Sequence, residues 1–302
     1  IISNSAPFIN LGTPKSKENH MYRYLYDESY ADSFTRLHYT WRDAVNAGRA
    51  YSAPYTDDDM AEKMKEWGED SIYWKTEYEW DDLKDIDEIK KWFHSAGTMA
   101  KTHGVRLTAH PGPFNVLVSP NEQVVENTIK DLTIHGDEFD MMGLSRTPYN
   151  KLNIHCNGVY GDKLSAMDRF CKNFERLPES VQTRLTVEND DKASMYSVKD
   201  LMYIHERIGI PIVFDYHHHK FCTGDMTEQE ALELAISTWP KGIAPVVHYS
   251  ESKALHESND KLKPQAHSDY INNLPNTYGN KVDIMVESKA KELSILPHIN
   301  LI

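Results

Sequence analysis

Six short apolar runs between His110 and Glu287 each end on a residue that can bind a metal ion. Val105 to Ala109 leads into His110, Leu152-Asn153-Ile154 into His155, and Leu185-Thr186-Val187 into Glu188. Ile212-Val213-Phe214 leads into Asp215, Val246-Val247 into His248, and Val282 to Val286 into Glu287. The intervals of 45, 33, 27, 33 and 39 residues suit a strand, a helix and their loops, repeated. In a barrel of alternating strands and helices the carboxyl ends of the parallel strands converge on one face. Residues far apart in sequence would then share one pocket. A single histidine at a strand end is usually structural; six ligand-type residues in phase call for metal.

The rest of the chain is compatible with that architecture. At 302 residues it suits one large α/β domain, and its 40% hydrophobic content can fill a core. Residues 1 to 70 are rich in Tyr, Asp and Ser and read as a divergent amino-terminal segment. The barrel region is expected over 71 to 302, with the first barrel elements in the earlier part. One short strand is expected near Pro7 to Leu11 and another at Ile72-Tyr73-Trp74, whereas Asp57-Asp58-Asp59 reads as a solvated helix start. The three cysteines lack a C-x-x-C spacing, which points to reduced thiols. No apolar stretch approaches a membrane span, and Ile1 to Asn10 lacks the pattern of a signal peptide, so an intracellular protein without a membrane partner is expected. The net charge of −13 counts against a basic nucleic-acid coat but not against a metal-dependent nuclease, in which bound cations reverse the local field.

Helices are marked by their caps. Ile86, Ile89, Trp92, Phe93, Ala96 and Ala100 recur at helical spacing, with Gly104 placed to end the helix. Ser119-Pro120-Asn121-Glu122 reads as an N-cap, a first-turn proline and the Glu of a capping box, ahead of Val124, Val125, Ile129 and Leu132. Thr227 to Glu230 is a second capping box, and Ser197 caps a helix that Gly209 ends.

The chemistry concentrates at the strand ends. His110-Pro111-Gly112 joins an imidazole to a turn that allows close backbone approach. Glu188-Asn189-Asp190-Asp191 carries a carboxylate with hydrogen-bonding neighbours that can orient other ligands. Past Asp215 the chain turns, so one histidine of His217-His218-His219 can reach the pocket as well, with His218 preferred; His267 lies in the loop after His248. His94, His103, His135, His205 and His298 read as ordinary histidines. Tyr73, Trp74, Tyr78 and Trp80 read as core or rim. Mixed imidazole and carboxylate ligands without thiolate fit Zn, Mn or Fe, and the carboxylates favour Mn. There are more ligands than one tetrahedral site uses, so two or three ions are expected. Such a cluster suits phosphodiester hydrolysis. No Gly-rich phosphate loop, G-x-S-x-G elbow or H-E-x-x-H helix is present.

In order, the motifs resemble the UV damage endonuclease family. The resemblance runs through His110 to Asn127, Ile154-His155, Gly158 to Lys163, Leu177 to Ser180 and Leu185 to Asp191. It continues through Ile210 to Asp215 with His217-His218, His248-Tyr249-Ser250, His267 to Tyr270 and Asp283 to Glu292, covering roughly residues 80 to 293. It implies a TIM-type (β/α)8 barrel, xylose isomerase-like and AP-endonuclease-like. The implied activity nicks damaged double-stranded DNA on the 5′ side of pyrimidine dimers, 6-4 photoproducts and abasic sites, in a monomer. The implied ions are divalent, Mn first, with Zn, Mg or Co as alternatives. The ligands carried over by position are His110, His155, Glu188, Asp215, His218, His248, His267 and Glu287, of which Glu188, His218 and Glu287 are the expected catalytic residues. DNA contacts are expected from Gly112, Pro113, Phe114, Asn115, Tyr160, Lys163 and Asn189.

The chain also departs from the family pattern. Pro113-Phe114 replaces a Gln followed by an aromatic residue, the pair that probes the duplex opposite a lesion. Val246 stands where a lysine near the metals is usual, and the strand-two motif has no clear counterpart near Tyr73 to Trp80. Two rival readings follow: a metal-dependent sugar isomerase or epimerase on a similar barrel, and a damaged-DNA-binding relative with weakened catalysis.

Overall fold

The computed structural model describes residues 86 to 301, with side chains from Lys90 to His298. The expected strands at 7 to 11 and 72 to 74, the acidic run at 57 to 59, the aromatic residues of 73 to 80 and the boundary at residue 70 lie outside the described residues. Residues 101 to 302 belong to one compact unit, and the first described helix, α1 (Ile86–Thr102), belongs up to Ala100 to another.

Among the described residues of the larger unit five parallel strands run in the order of the chain: β1 (Leu152–His155), β2 (Leu185–Glu188), β3 (Ile212–Asp215), β4 (Val246–Tyr249) and β5 (Asp283–Val286). A sixth position is supplied by Ala109, which bridges Leu152 in parallel: its N–H bonds Lys151 O and its carbonyl accepts from Asn153 N, both at 2.9 Å. Among the described residues the run from Val105 to Ala109 is thus paired at one residue instead of forming a full strand, and past Pro111 the chain enters a turn closed by Asn115 N on Gly112 O at 3.1 Å.

The sheet is strongly curled. Flat, six neighbouring strand positions would span about 24 Å. Yet the Arg106 guanidinium, beside β1, sits 2.6 Å from the Asp283 carboxylate in β5 and 2.7 Å from the Ala244 carbonyl below β4. The two outer members of the described sheet thus meet across its concave side, as in a TIM-type barrel, which is the fold class of this chain.

Alternation along the strands divides the core. Leu152, Ile154, Leu185, Val187, Ile212 and Phe214 are buried on the convex side, under helices such as α5 (Val198–Ile208) and α7 (Glu228–Ser237), both packed on β3. Val213, Val246, Met285 and Trp239 cluster at the barrel floor near Arg106. Arg184 anchors the entry to β2. Fully buried, it donates to the carbonyls of Leu144, Ser145 and Ser180 and pairs with Asp140 at 2.8 Å.

The helix signals mostly hold. Gly104 and Gly209 end their helices with φ +65° and +73°, the Thr227–Glu230 capping box is formed, and the Ser197 cap is completed by Asp200 into a capping box as well. The exception is α2 (Glu122–Met141), which begins later than the capping-box reading of Ser119 to Glu122 implies. Asn121 is its N-cap and accepts from Gln123 N, while the Ser119 hydroxyl accepts from Asn121 N. Asn121 can cap directly, so Ser119 braces the cap instead. Val125 and Leu132 are buried in the α2 stripe; Val124 and Ile129 are only partly covered. Among the described residues, no helix is long and apolar enough to cross a membrane.

Candidate metal centre

The side chains that end these strands converge on Glu188. One of its carboxylate oxygens, Oε2, lies 3.2 Å from His110 Nε2 and 3.0 Å from His248 Nδ1. The other, Oε1, lies 3.3 Å from His218 Nδ1 and 3.9 Å from His155 Nε2. Two ligand sets result. His110, Glu188, His248 and Glu287 form one and His155, Glu188 and His218 the other, each with its ligand atoms within 4.8 Å of one another. The imidazoles sit side by side, with ring centroids 5.4 Å apart for both His110–His155 and His155–His218.

The packing around these ligands orients them. The Asn153 amide, two residues before His155 on the same strand face, donates to Glu188 Oε2 and accepts from the Thr186 hydroxyl at 2.8 Å. Asp190 Oδ1 stands 3.2 Å behind His155 Nδ1, which leaves Nε2 facing Glu188. Asn189 is buried and binds the backbone of Asp215 reciprocally: its Oδ1 accepts from Asp215 N at 2.8 Å and its Nδ2 donates to Asp215 O at 3.1 Å. Asp215 Oδ1 in turn caps the short helix α6 (Tyr216–His219) through His218 N at 2.7 Å, which aims His218 at the centre.

Asp215 and His267 stand at the edge of the two sets. Asp215 Oδ1 is 3.9 Å from His218 Nδ1, and His267 Nδ1 is 3.8 Å from Glu287 Oε2. The loop that carries His267 is tied down by Glu251, whose carboxylate accepts from the Tyr249 hydroxyl and from the N–H groups of Asn272 and Asn273, and lies 2.5 Å from His256 Nε2. His217 and His219 are buried but turn away from the centre, His217 toward the Gln265 carbonyl and His219 against Phe214.

Protons occupy part of the place that cations would take. Burial opposes charge at His155, Glu188, His218, His248 and Glu287, yet contact with opposite charges overrides it at each. His248 and His155 hold the Glu188 carboxyl well below its ordinary range despite burial. Asp215 and Glu188 raise His218 to about 10, and Glu188 and Glu287 raise His248 to about 9. Asp215 is the exception, since burial, with Glu188 and Glu287 nearby, pushes it up to about 6. Glu188 Oε1, Asp215 Oδ2 and His248 Nδ1 are buried without a hydrogen-bond partner among the described residues. Buried carboxylate oxygens without hydrogen-bond partners, converging with imidazole nitrogens in a charged pocket, fit a divalent-cation site.

One further group was not anticipated from sequence. Lys151 is fully buried, no carboxylate among the described residues lies within ion-pair distance of it, and its Nζ lies 3.2 Å from His248 Nε2. Its signal was available, because Lys151, Asn153 and His155 alternate on the strand face that carries the ligand. Val246 packs with Val213 and Trp239 in the floor.

The expected DNA contacts divide into two groups. Pro113, Phe114 and Tyr160 are exposed and Gly112 is half-buried. Asn115 is buried, with its amide donating to Gly112 O and Asp131, so it shapes the loop instead of facing solvent. Asn189 is likewise enclosed, and Lys163 pairs with Asp200 at 3.0 Å.

Fold and site together define a TIM-type barrel with two histidine–carboxylate groups, joined by one glutamate, that could hold metal ions at the carboxyl ends of the strands. Residues 78–301 match the profile of the UV-endonuclease UvdE family. The chain belongs to that family. It is 34% identical over 221 residues to a UV DNA damage endonuclease of Bacillus pumilus, covering 70% of this chain and 66% of the relative. It is 33% identical over 217 residues to one of Bacillus cereus, covering 69% and 65%. The matched region thus spans just under two thirds of the length of these relatives. The crystal structure of SacUVDE superimposes with a TM-score of 0.62 at 33% identity, over 71% of each chain.

Proposed function

We propose that this protein is a metal-dependent DNA-repair endonuclease that incises damaged duplex on the 5′ side of UV photoproducts and abasic sites. The observation that carries the reading is the sharing of Glu188 between two ligand sets, a geometry suited to adjacent divalent ions. Ions bound there would lower the pKa of an attacking water and offset charge at the phosphate and leaving oxygen. Mn is the first choice, and Zn, Mg and Co are compatible with the oxygen and nitrogen donors.

The protein's own residues have separable roles. Glu188, His218 and Glu287 bracket the reacting centre, with Glu188 held by Asn153 and His218 by the Asp215 cap. His110 and His155 close the exposed side. Phe114, 58% exposed on the turn begun by Gly112 and Pro113, is the wedge that fills a gap left by an unstacked base.

The test is cleavage of UV-irradiated and unirradiated plasmid with and without Mn, beside binding of a lesion duplex. Metal-dependent nicking confined to irradiated plasmid is the expected result. Lesion binding without nicking would support the weakened relative, and neither activity would overturn the proposal.

A further inference from the structure

Two neighbouring strand ends carry the same arrangement. After His110 the chain reads Pro111-Gly112-Pro113-Phe114, and after His155 it reads Cys156-Asn157-Gly158-Val159-Tyr160. In each, a ligand histidine is followed by a glycine and, two residues later, an exposed aromatic ring. Phe114 is 58% and Tyr160 51% exposed. Each ring is folded onto its glycine. A Cβ on Gly112 would fall 2.3 Å from the Phe114 ring, and one on Gly158 2.8 Å from the Tyr160 ring. The glycines make room for rings laid over the backbone.

The two loops are joined. Asn157 Nδ2 donates to Asn115 O at 3.2 Å, and Arg169 donates to Val118 O at 2.7 Å while its guanidinium lies 5.7 Å from the Tyr160 ring. The Tyr196 hydroxyl holds the Gly158 carbonyl at 3.2 Å. Tyr160 itself has φ +50° and Asn157 φ +64°, left-handed conformations that a tyrosine in particular resists. A strained backbone that leaves a large ring half in solvent, beside a ligand histidine, is costly unless the ring is used.

Building on the repair-endonuclease reading, we propose that Tyr160 is a second nucleobase-stacking side chain, held ready over Gly158 and acting with Phe114 beside the metal centre. The occupant is an unstacked base of the damaged duplex. A planar apolar face in water beside a pocket suited to phosphodiester chemistry fits a base better than any other part of DNA. The hydroxyl is not required for this role; the ring is.

The experiment uses a duplex with one tetrahydrofuran abasic-site analogue opposite 2-aminopurine, with methylphosphonates flanking the lesion so that binding is read without cleavage. Affinity and 2-aminopurine fluorescence are measured for the parent protein, Tyr160→Ala, Tyr160→Phe and Tyr160→Leu, with an intact duplex as reference. Stacking predicts that Tyr160→Ala and Tyr160→Leu each lose roughly tenfold in lesion affinity and part of the fluorescence quenching. Tyr160→Phe should match the parent. Parent-like binding by Tyr160→Ala or Tyr160→Leu, or a loss in Tyr160→Phe equal to that in Tyr160→Ala, would overturn the proposal while leaving the repair reading in place. A parent protein that binds lesion and intact duplexes alike would overturn both.

Discussion

Lys151 Nζ lies 3.2 Å from His248 Nε2, on the side of the imidazole opposite the Nδ1 that faces Glu188 and Glu287. The contact assigns the two ring nitrogens, Nδ1 to the ligand set and Nε2 to the amine behind it. A fully buried amine is costly to charge, and burial pulls Lys151 down to about 8, against the opposing pull of Glu188 and Glu287. Lysine titrates near 10.4 when unfolded, so between pH 8 and 10.5 the unfolded chain binds more protons and stability rises with pH. Below the folded value the destabilisation is fully present. Relative to Lys151→Met, the metal-free parent should therefore gain up to about 3 kcal/mol between pH 7.5 and 10.5. Urea unfolding of both proteins in chelator across that range is the check, and parallel pH profiles would contradict it.

Metal loading should release protons. In the metal-free protein His218 and His248 titrate near 10 and 9, raised by the carboxylates that flank them. Their stabilising contribution is complete below the unfolded value near 6.5 and is lost as pH climbs through 9 to 10. A cation must displace those protons. Mn affinity is therefore expected to rise with pH between 7 and 9, by about tenfold per unit for each proton released. Calorimetry in buffers of different ionisation enthalpy would count the protons directly.

Because Glu188 belongs to both ligand sets, its loss should differ in kind from loss of a histidine. His110→Ala should weaken one set and His218→Ala the other, whereas Glu188→Ala should empty both. Metal content after reconstitution and desalting would distinguish these cases. Equal stoichiometry in all three variants would rule out a shared carboxylate.

Phe114→Ala should leave metal content unchanged and weaken binding to a lesion duplex by roughly tenfold, the worth of one base stack. Because Phe114 is exposed, unfolding transitions of parent and variant should coincide. Unchanged lesion affinity would remove it from the interface.

Asn189→Ala is informative because its side chain holds the backbone of Asp215 at both N–H and C=O. The variant leaves the buried Asp215 N–H without its partner, while the Asp215 carbonyl keeps its bond to the first turn of α6, and should lose about 1–3 kcal/mol of stability. It should also bind metal more weakly, through the displaced Asp215 and His218. A fall in DNA affinity with metal binding intact would restore the direct contact expected from sequence.

The sequence by itself determined the rhythm of the barrel and most of the side chains that meet at the candidate metal centre. His110, His155, Glu188, Asp215, His248 and Glu287 were legible because strand alternation and βα spacing are local properties, and the caps at Ser197 and Thr227 close within one turn. The preference for His218 over His217 and His219 followed from one turn of chain past Asp215 and from the family motif. What only the tertiary structure decided depends on the curl of the sheet. Alternation places Lys151 on the face of Asn153 and His155, but its contact with His248 is set only when β1 and β4 face each other, and Asn189 reads as a DNA-contact residue until β3 is laid beside β2. The two-sided use of Glu188 requires four strand ends to meet at one carboxylate. These relations join residues 26 to 97 positions apart, and no local preference encodes which side chains meet across a barrel.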